Sequence, residues 1–141
     1  MSIVQLRGER RKVSYHEAGH AVAARKLGIA IAYIRIIRDN SGYGGAVVPS
    51  SITWEIAQAS GTRAILAYLY ADLMVALAGP AAERLAGYPD DREGLYNEDF
   101  EHAHNNAALM ARSEAGLPMV PDETTSSRTW RSAAQRLLYH R

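Results

Sequence analysis

A chain of 141 residues with 48% hydrophobic side chains is long and apolar enough to form one domain with a buried core. Its 22% of charged residues and formal net charge of +1 exclude a wholly disordered composition and argue against a dedicated nucleic-acid binder, which carries a basic surplus. The absence of cysteine excludes disulfides and thiolate metal sites. Because no apolar leader segment opens the chain either, we expect a cytoplasmic protein.

The first predicted helix covers residues 14–27. Ser14 is a good N-cap, and Glu17 stands three residues later, at the spacing of a capping box. Gly28 provides the C-terminal stop. Residues 1–12, which precede this helix, predict a loose arm or a short strand.

A β-hairpin is predicted next. Residues 31–38 are rich in β-branched side chains, residues 39–42 form a turn cluster, and residues 43–48 read as the returning strand.

Pro80 fits the first turn of a short helix. The remaining predicted helices cover residues 51–59, 63–78, 80–86, 97–115 and 129–139.

The predicted fold class is therefore mainly α with a small β-hairpin or sheet. We expect a single domain over residues 1–141, with a core at about 13–120 and a linker and C-terminal helix at 121–141.

One segment is long and apolar enough to be tested as a membrane span. Residues 64–82 are apolar except for Asp72, and Gly79 and Pro80 interrupt the end of the segment. Because an unpaired carboxylate at the centre of a bilayer is costly, the pattern favours a core helix. We expect no membrane anchor in this chain.

The segment His16-Glu17-Ala18-Gly19-His20 predicts a metal site. Histidines at positions i and i+4 share one helix face, and their imidazoles can bind one zinc ion. Glu17 can reach a zinc-bound water, take its proton and pass it to a leaving amine. The alternative is a chance pentapeptide on a solvated helix, with Glu17 serving only the capping box.

Gly19 lies in the middle of the predicted zinc helix. A mid-helix glycine costs about 1 kcal/mol relative to alanine. The cost is easier to explain if another element must approach the helix closely at this position.

A catalytic zinc ion needs a third protein ligand, and spacing alone does not choose it. The candidates downstream of the helix are acidic residues and histidines: Glu83, Glu98, Asp99, Glu101, His102 and His104.

Several blocks of the sequence resemble the FtsH family of membrane-anchored AAA zinc proteases. They occur in that family's order: the zinc pentapeptide, the hairpin segment 34–49, the segment Ala78-Gly79-Pro80-Ala81-Ala82-Glu83, and the segment Asn97-Glu98-Asp99-Phe100-Glu101-His102-Ala103, with weaker echoes at 111–112 and 119–120. The resemblance implies a zincin-like His-Glu-x-x-His helix, a zinc cofactor, His16, His20 and Asp99 as ligands, and Glu17 as the base.

The chain departs from the family pattern in several ways. Glu98 stands between Asn97 and Asp99, and Pro80 replaces an arginine of the glycine-rich segment. The sequence also has no Gly-x-x-x-x-Gly-Lys-Ser/Thr loop for ATP, and it leaves open whether the chain has an ATPase partner.

The other polar candidates have weaker predicted roles. Glu83 is the second choice as third ligand, and Glu98 or His102 could supplement Asp99. His102 and His104 are expected on an exposed or partly exposed face of their helix, although either could support a ligand. Asp72 could pair with a histidine inside the core.

Two features concern packing and substrate. Trp54 and Trp130 are expected to be packing residues. Glycines 42, 44 and 45 leave room for close backbone approach, so a strand edge of the hairpin could bind an extended peptide.

The leading functional hypothesis is a zinc metallopeptidase that hydrolyses unfolded or short peptides through a zinc-bound water activated by Glu17. The alternative is a non-catalytic, peptidase-like zinc domain that binds or regulates a partner, in which a fourth protein ligand would close the zinc site. A zinc hydrolase of non-peptide amides would use the same residues. The predicted partners are a peptide or protein substrate and no nucleic acid; the sequence leaves the oligomeric state open.

Overall fold

Four helices and one two-stranded antiparallel sheet make up the part of the chain that the computed structural model describes, residues 2–89 and 96–116. This architecture confirms the mainly helical class with a small hairpin. The predicted linker, the helix at 129–139 and Trp130 lie outside the described residues. The elements in chain order are α1 (Ile3–Lys26), β1 (Ile31–Asp39), β2 (Gly42–Pro49), α2 (Ser51–Ser60), α3 (Thr62–Leu85) and α4 (Tyr96–Glu114).

Helix α1 begins at Ile3, so the prediction of a loose arm or strand before Ser14 is wrong. Ser2 and Gln5 form the capping box. The backbone N–H of Gln5 donates to Ser2 Oγ at 3.2 Å, and the backbone N–H of Ser2 donates to the side-chain Oε1 of Gln5 at 2.7 Å. Ser14 lies inside the helix, where its hydroxyl donates to the Arg10 carbonyl at 2.8 Å. The residues between the two serines are mostly good helix formers, so nothing interrupts the helix before Ser14.

Helix α3 is continuous from Thr62 to Leu85, with Pro80 inside it, so the predicted break into two helices is wrong. Proline lacks the amide hydrogen that would bind the carbonyl four residues earlier, which weakens a helix interior. Here the helix packs against α1, α2 and α4, and that tertiary packing holds Pro80 in line although its helix propensity is poor.

By length and composition alone, α3 could cross a membrane, a property that it shares with the core helices of soluble proteins. It is the one helix of this kind in the described ranges. Its buried side chains include Asp72 and Glu83, and both are hydrogen-bonded to histidines of other helices.

The apolar core lies where α2 and α3 meet the C-terminal end of α1. Trp54 of α2 packs on the ring of the buried Tyr68, with 5.1 Å between the ring centroids, which confirms that Trp54 is a packing residue. Ile29 and Ala24 complete the same cluster from the α1 side. The middle of α1, from Glu9 to His20, forms one wall of a cleft.

The hairpin packs against α1 mainly through β2. The strands pair in an antiparallel register that sets Ile34 opposite Val47, and Val48 of β2 is buried, whereas most of β1 is exposed. Among the described residues, β2 is paired on one side only, with β1. Its other edge is therefore available to the cleft beside α1.

Gly19 lies where α1 crosses α3, as its mid-helix position predicts. A Cβ atom at this position would lie 2.4 Å from the Ala78 carbonyl oxygen and 2.6 Å from Ala82 Cβ. Such distances are well inside van der Waals contact, so only glycine allows the two helices to approach this closely.

Replacing Gly19 with alanine is therefore expected to lower the free energy of unfolding by about 1–3 kcal/mol, the usual cost of overpacking. Gly8 lies in the same helix with nothing within 4 Å of an added Cβ, so Gly8→Ala is the matched control. It should instead stabilise the protein by up to about 1 kcal/mol through helix propensity. Urea denaturation measures both changes, and an equal gain from the two substitutions would contradict the close helix crossing.

Candidate metal centre

Three side chains from two helices converge on one point. His16 and His20 lie one turn apart on the buried face of α1, and Asp99 reaches them from the first turn of α4. The two Nε2 atoms are 3.0 Å apart, and Asp99 Oδ2 lies 2.8 Å from Nε2 of His16 and 3.3 Å from that of His20. The structure thus brings together the three residues predicted as ligands.

The hydrogen bonds of the opposite ring nitrogens orient both imidazoles. Nδ1 of His20 lies 2.7 Å from the Val75 carbonyl oxygen, which can only accept, so this nitrogen carries the hydrogen. Nδ1 of His16 donates to Glu83 Oε1 at 2.6 Å. In the neutral rings, each Nε2 therefore presents a lone pair to the point of convergence, as metal-binding histidines do.

The donor set fits a zinc ion. Zinc bound at about 2.0–2.1 Å in tetrahedral geometry separates its ligand atoms by roughly 3.3 Å, which is close to the spacings among these three atoms. Two imidazoles and one carboxylate also form a usual catalytic set that keeps a fourth position for water or substrate. His16, His20 and Asp99 are the one such group of His, Asp and Glu side chains in the described ranges.

The charges of the three groups favour a cation between them. Burial alone would lower the pKa of His20, but the hydrogen bond and charge of Asp99, together with the Val75 carbonyl, outweigh it and raise that pKa. Burial alone would raise the pKa of Asp99, but hydrogen bonds from His16 and His20 lower it. The cluster therefore holds a proton strongly when no metal is bound, and a metal cation would take the place of that proton.

Glu17 is buried beside the two histidines, and its Oε2 has no hydrogen-bond partner among the described residues. Burial raises the pKa of Glu17, although the neighbouring histidine charges act in the opposite direction. A raised carboxylate pKa suits a group that must accept a proton near neutral pH. Because α1 begins at Ile3, Glu17 does not cap this helix, and the alternative role in a capping box is wrong.

Two glycines allow other elements to cover these side chains closely. A Cβ atom at Gly45 of β2 would lie 2.6 Å from Glu17 Cγ, and one at Gly79 of α3 would lie 2.5 Å from His20 Nε2. The hairpin glycine was predicted to allow close approach, but no role was predicted for Gly79. The signal that could have found it is a glycine inside an apolar helical pattern, the same signal that singled out Gly19.

Glu83 lies behind His16 rather than at the point of convergence. It is fully buried, and its two oxygens contact Nδ1 of His16 at 2.6 Å and Nζ of Lys12 at 3.7 Å. This position is that of a carboxylate that orients a ligand imidazole. The geometry favours Asp99 over Glu83 as the third ligand.

His102 bonds to Asp72 in a polar cluster between α3 and α4. His102 Nε2 lies 2.5 Å from Asp72 Oδ2, and Asn106 Nδ2 donates to the same oxygen at 2.8 Å. This pair confirms the prediction that Asp72 binds a histidine, and His102 lies on a partly exposed helix face, as the sequence predicts. Glu98, Glu101 and His104 are exposed, and the contribution of Asn106 was not predicted.

A cleft of about 690 Å³ follows α1 past this site. Glu9 and Lys12 line its N-terminal part, and Ala24 and Ile29 line its apolar end. Strand β2 forms the opposite wall, whereas only Ile31 of β1 lines the cleft among the described residues. An extended peptide in this cleft would pass between the β2 edge and the converging histidines.

The chain is similar to the ATP-dependent zinc metalloprotease FtsH of Aster yellows witches'-broom phytoplasma (strain AYWB). The two sequences are 39% identical over 105 residues, which cover 72% of this chain and 14% of that protein. The chain therefore spans a small part of the length of the relative. No protein-family model matches the chain, and no solved structure matches it. The comparison identifies an FtsH-related region in this chain.

Proposed function

We propose that the chain is a zinc metallopeptidase domain of the FtsH type, built on a zincin-like helix, and that it hydrolyses unfolded or short peptides. The observation that carries the proposal is the convergence of His16, His20 and Asp99 within 3.3 Å of one another, beside the buried carboxylate of Glu17. The similarity to a zinc metalloprotease supports the same assignment.

In this proposal His16, His20 and Asp99 hold the ion. When bound, zinc polarises a peptide carbonyl and lowers the pKa of water towards neutrality. Glu17 accepts the proton of the attacking water at its carboxylate and returns it to the leaving amine. Glu83 and the Val75 carbonyl keep the two imidazoles turned towards the ion.

The edge of β2 is the proposed binding platform for the substrate backbone. An extended peptide can pair with an open strand edge through main-chain hydrogen bonds, which read no side chain. Because Gly45 lies directly against Glu17, a peptide paired with this edge would carry its backbone past the proposed base. Such binding requires an unfolded or short substrate, as an extended strand is the conformation that is recognised.

The test is cleavage by purified protein whose zinc content has been measured. We expect one zinc ion per chain and cleavage of short peptides from a broad library. A zinc chelator should abolish the cleavage, its non-chelating isomer should leave it unchanged, and added zinc should restore it. Full zinc occupancy without any cleavage would contradict the peptidase proposal and favour the non-catalytic, partner-binding alternative.

A further inference from the structure

A carboxylate at the N-terminal end of the cleft has one oxygen without a partner. Glu9 lines the cleft and is half-buried, and its Oε2 is buried without a hydrogen-bond partner among the described residues. The hairpin covers this oxygen, since a Cβ atom at Gly42 would lie 3.3 Å from it. Removing a carboxylate from water is costly unless a donor or a cation takes the place of the water. Within the described part of the chain, nothing compensates this cost at Oε2.

The other oxygen of Glu9 can meet a ligand in the cleft. Because Oε2 lies under the hairpin, Oε1 is the oxygen through which the half-buried side chain can face the cleft. Lys12 follows Glu9 by three residues and also lines the cleft, but its Nζ pairs with Glu83 Oε2 at 3.7 Å. A cation carried by a peptide would therefore be a suitable partner for the Glu9 carboxylate.

A second negative charge lies at the same end of the cleft. Asp39 is paired with Gly42 across the hairpin, next to Glu9. Hydrogen bonds from the side chain and backbone of Ser41 lower the pKa of Asp39, which keeps this carboxylate ionised at neutral pH. Two neighbouring negative charges raise the local concentration of cations. The opposite end of the cleft, lined by Ala24 and Ile29, is apolar and provides no such attraction.

The spacing along α1 sets Glu9 in line with the proposed metal site. Glu9 precedes His16 by seven residues, so the two side chains lie on one helix face, about 10 Å apart along the axis. Strand β2 runs beside α1 in the same direction, since Gly42 lies against Glu9 and Gly45 lies against Glu17. An extended peptide along β2 advances about 3.3 Å per residue. The side chain that reaches Glu9 is therefore about three residues from the metal.

We propose that Glu9 is a specificity-determining residue for the peptidase reaction put forward above, on which this inference rests. Its carboxylate binds the ammonium or guanidinium group of a lysine or arginine side chain about three residues from the peptide bond at the metal. The β2 edge pairs with any extended backbone, so Glu9 adds a selection by side chain that the edge does not provide. The preferred substrates are unfolded or short peptides with a basic residue at this distance from the cleaved bond.

Peptide hydroxamates test the proposal on zinc-loaded protein, because the hydroxamate binds the ion and fixes the register of the peptide. One series carries this group at the amino end and the other at the carboxyl end. Each series places a lysine at successive residues from the hydroxamate, with glutamine at the same position as the reference. In one series, lysine about three residues away should bind about tenfold more tightly than glutamine, the usual contribution of a charged hydrogen bond. At the other positions the two Kd values should agree within about twofold.

Two substitutions of Glu9 assign the preference to its charge. Glu9→Gln keeps the shape of the side chain and should remove the preference for lysine, while the zinc content stays at the wild-type value. Glu9→Lys should reverse the preference, so that glutamate at the same peptide position binds more tightly than lysine. A loss of structure weakens all peptides and does not produce a reversal.

Glu55→Gln is the matched control, since it removes an exposed carboxylate of α2 that does not line the cleft. It should leave the preference for lysine as in the wild type. Equal binding of the lysine and glutamine peptides at every position, or a preference that survives in Glu9→Gln, would overturn the role of Glu9. These measurements need no turnover, so failure of the wild-type protein to cleave any peptide would count against the proposed function alone.

Discussion

Glu17→Gln is expected to lower kcat for peptide hydrolysis by about 10²–10⁴-fold, the usual contribution of a positioned general base. Glutamine has nearly the same shape, but its amide cannot take a proton from water near neutral pH. The buried Glu17 oxygen faces the proposed site without a hydrogen-bond partner among the described residues, so no structural bond is lost with it. Steady-state kinetics on protein with a measured zinc content will show the change.

Zinc binding and stability should survive this substitution. Glu17 is not one of the three converging donors, so the zinc content of Glu17→Gln should match that of the wild type. Burial raises the pKa of Glu17, which means that the fold favours the uncharged form. Above the ordinary pKa of a glutamate this carboxyl therefore opposes folding, and the neutral amide should leave Tm unchanged or raise it.

Glu98→Gln is the matched control for the base. Glu98 lines the same cleft, next to Asp99 in the sequence, but it is exposed. The same loss of one charge at Glu98 should change kcat only slightly. If Glu17→Gln retained cleavage within about tenfold of the wild type, or if Glu98→Gln lost it, another group would be the base.

The zinc helix could be predicted from the sequence because its information is local. The spacing of His16 and His20 places both rings on one face of any helix that contains them, wherever that helix begins. The position of the N-terminus was harder, since Ser2 and Ser14 are each followed three residues later by a residue suited to a capping box. The residues between the two serines are mostly exposed, and their good helix propensity carries the helix back to Ser2.

For a contact between two helices, the sequence predicts which type of side chain is the partner but not which residue provides it. The apolar surroundings of Asp72 indicated a histidine partner, but nothing local selects His102 and Asn106, which lie on another helix. Similarly, Asp99 was singled out by the resemblance to a family rather than by its spacing. Contacts between distant segments depend on how helices pack, and the sequence pattern of each helix gives only its buried face.

Asp99→Ala is expected to weaken zinc binding more than any other single change at a carboxylate of this chain. Its Oδ2 lies within 3.3 Å of both Nε2 atoms, so its removal would leave two of the three donors that converge in the described part of the chain. We expect the Kd for zinc to rise by more than about 100-fold, beyond the 10–100-fold that is usual when a residue supporting a ligand is lost. Competition with a fluorescent zinc chelator measures this Kd without reference to peptidase activity.

Glu83→Gln distinguishes a supporting carboxylate from a ligand. Glu83 contacts His16 on Nδ1, and a glutamine oxygen can still accept that hydrogen bond. The Kd for zinc should therefore rise by no more than about 100-fold, and the protein should still bind one zinc ion per chain. If Asp99→Ala kept its zinc while Glu83→Gln lost it, the two carboxylates would have to exchange roles. The proposed site would then need α3, rather than α4, to provide its third ligand.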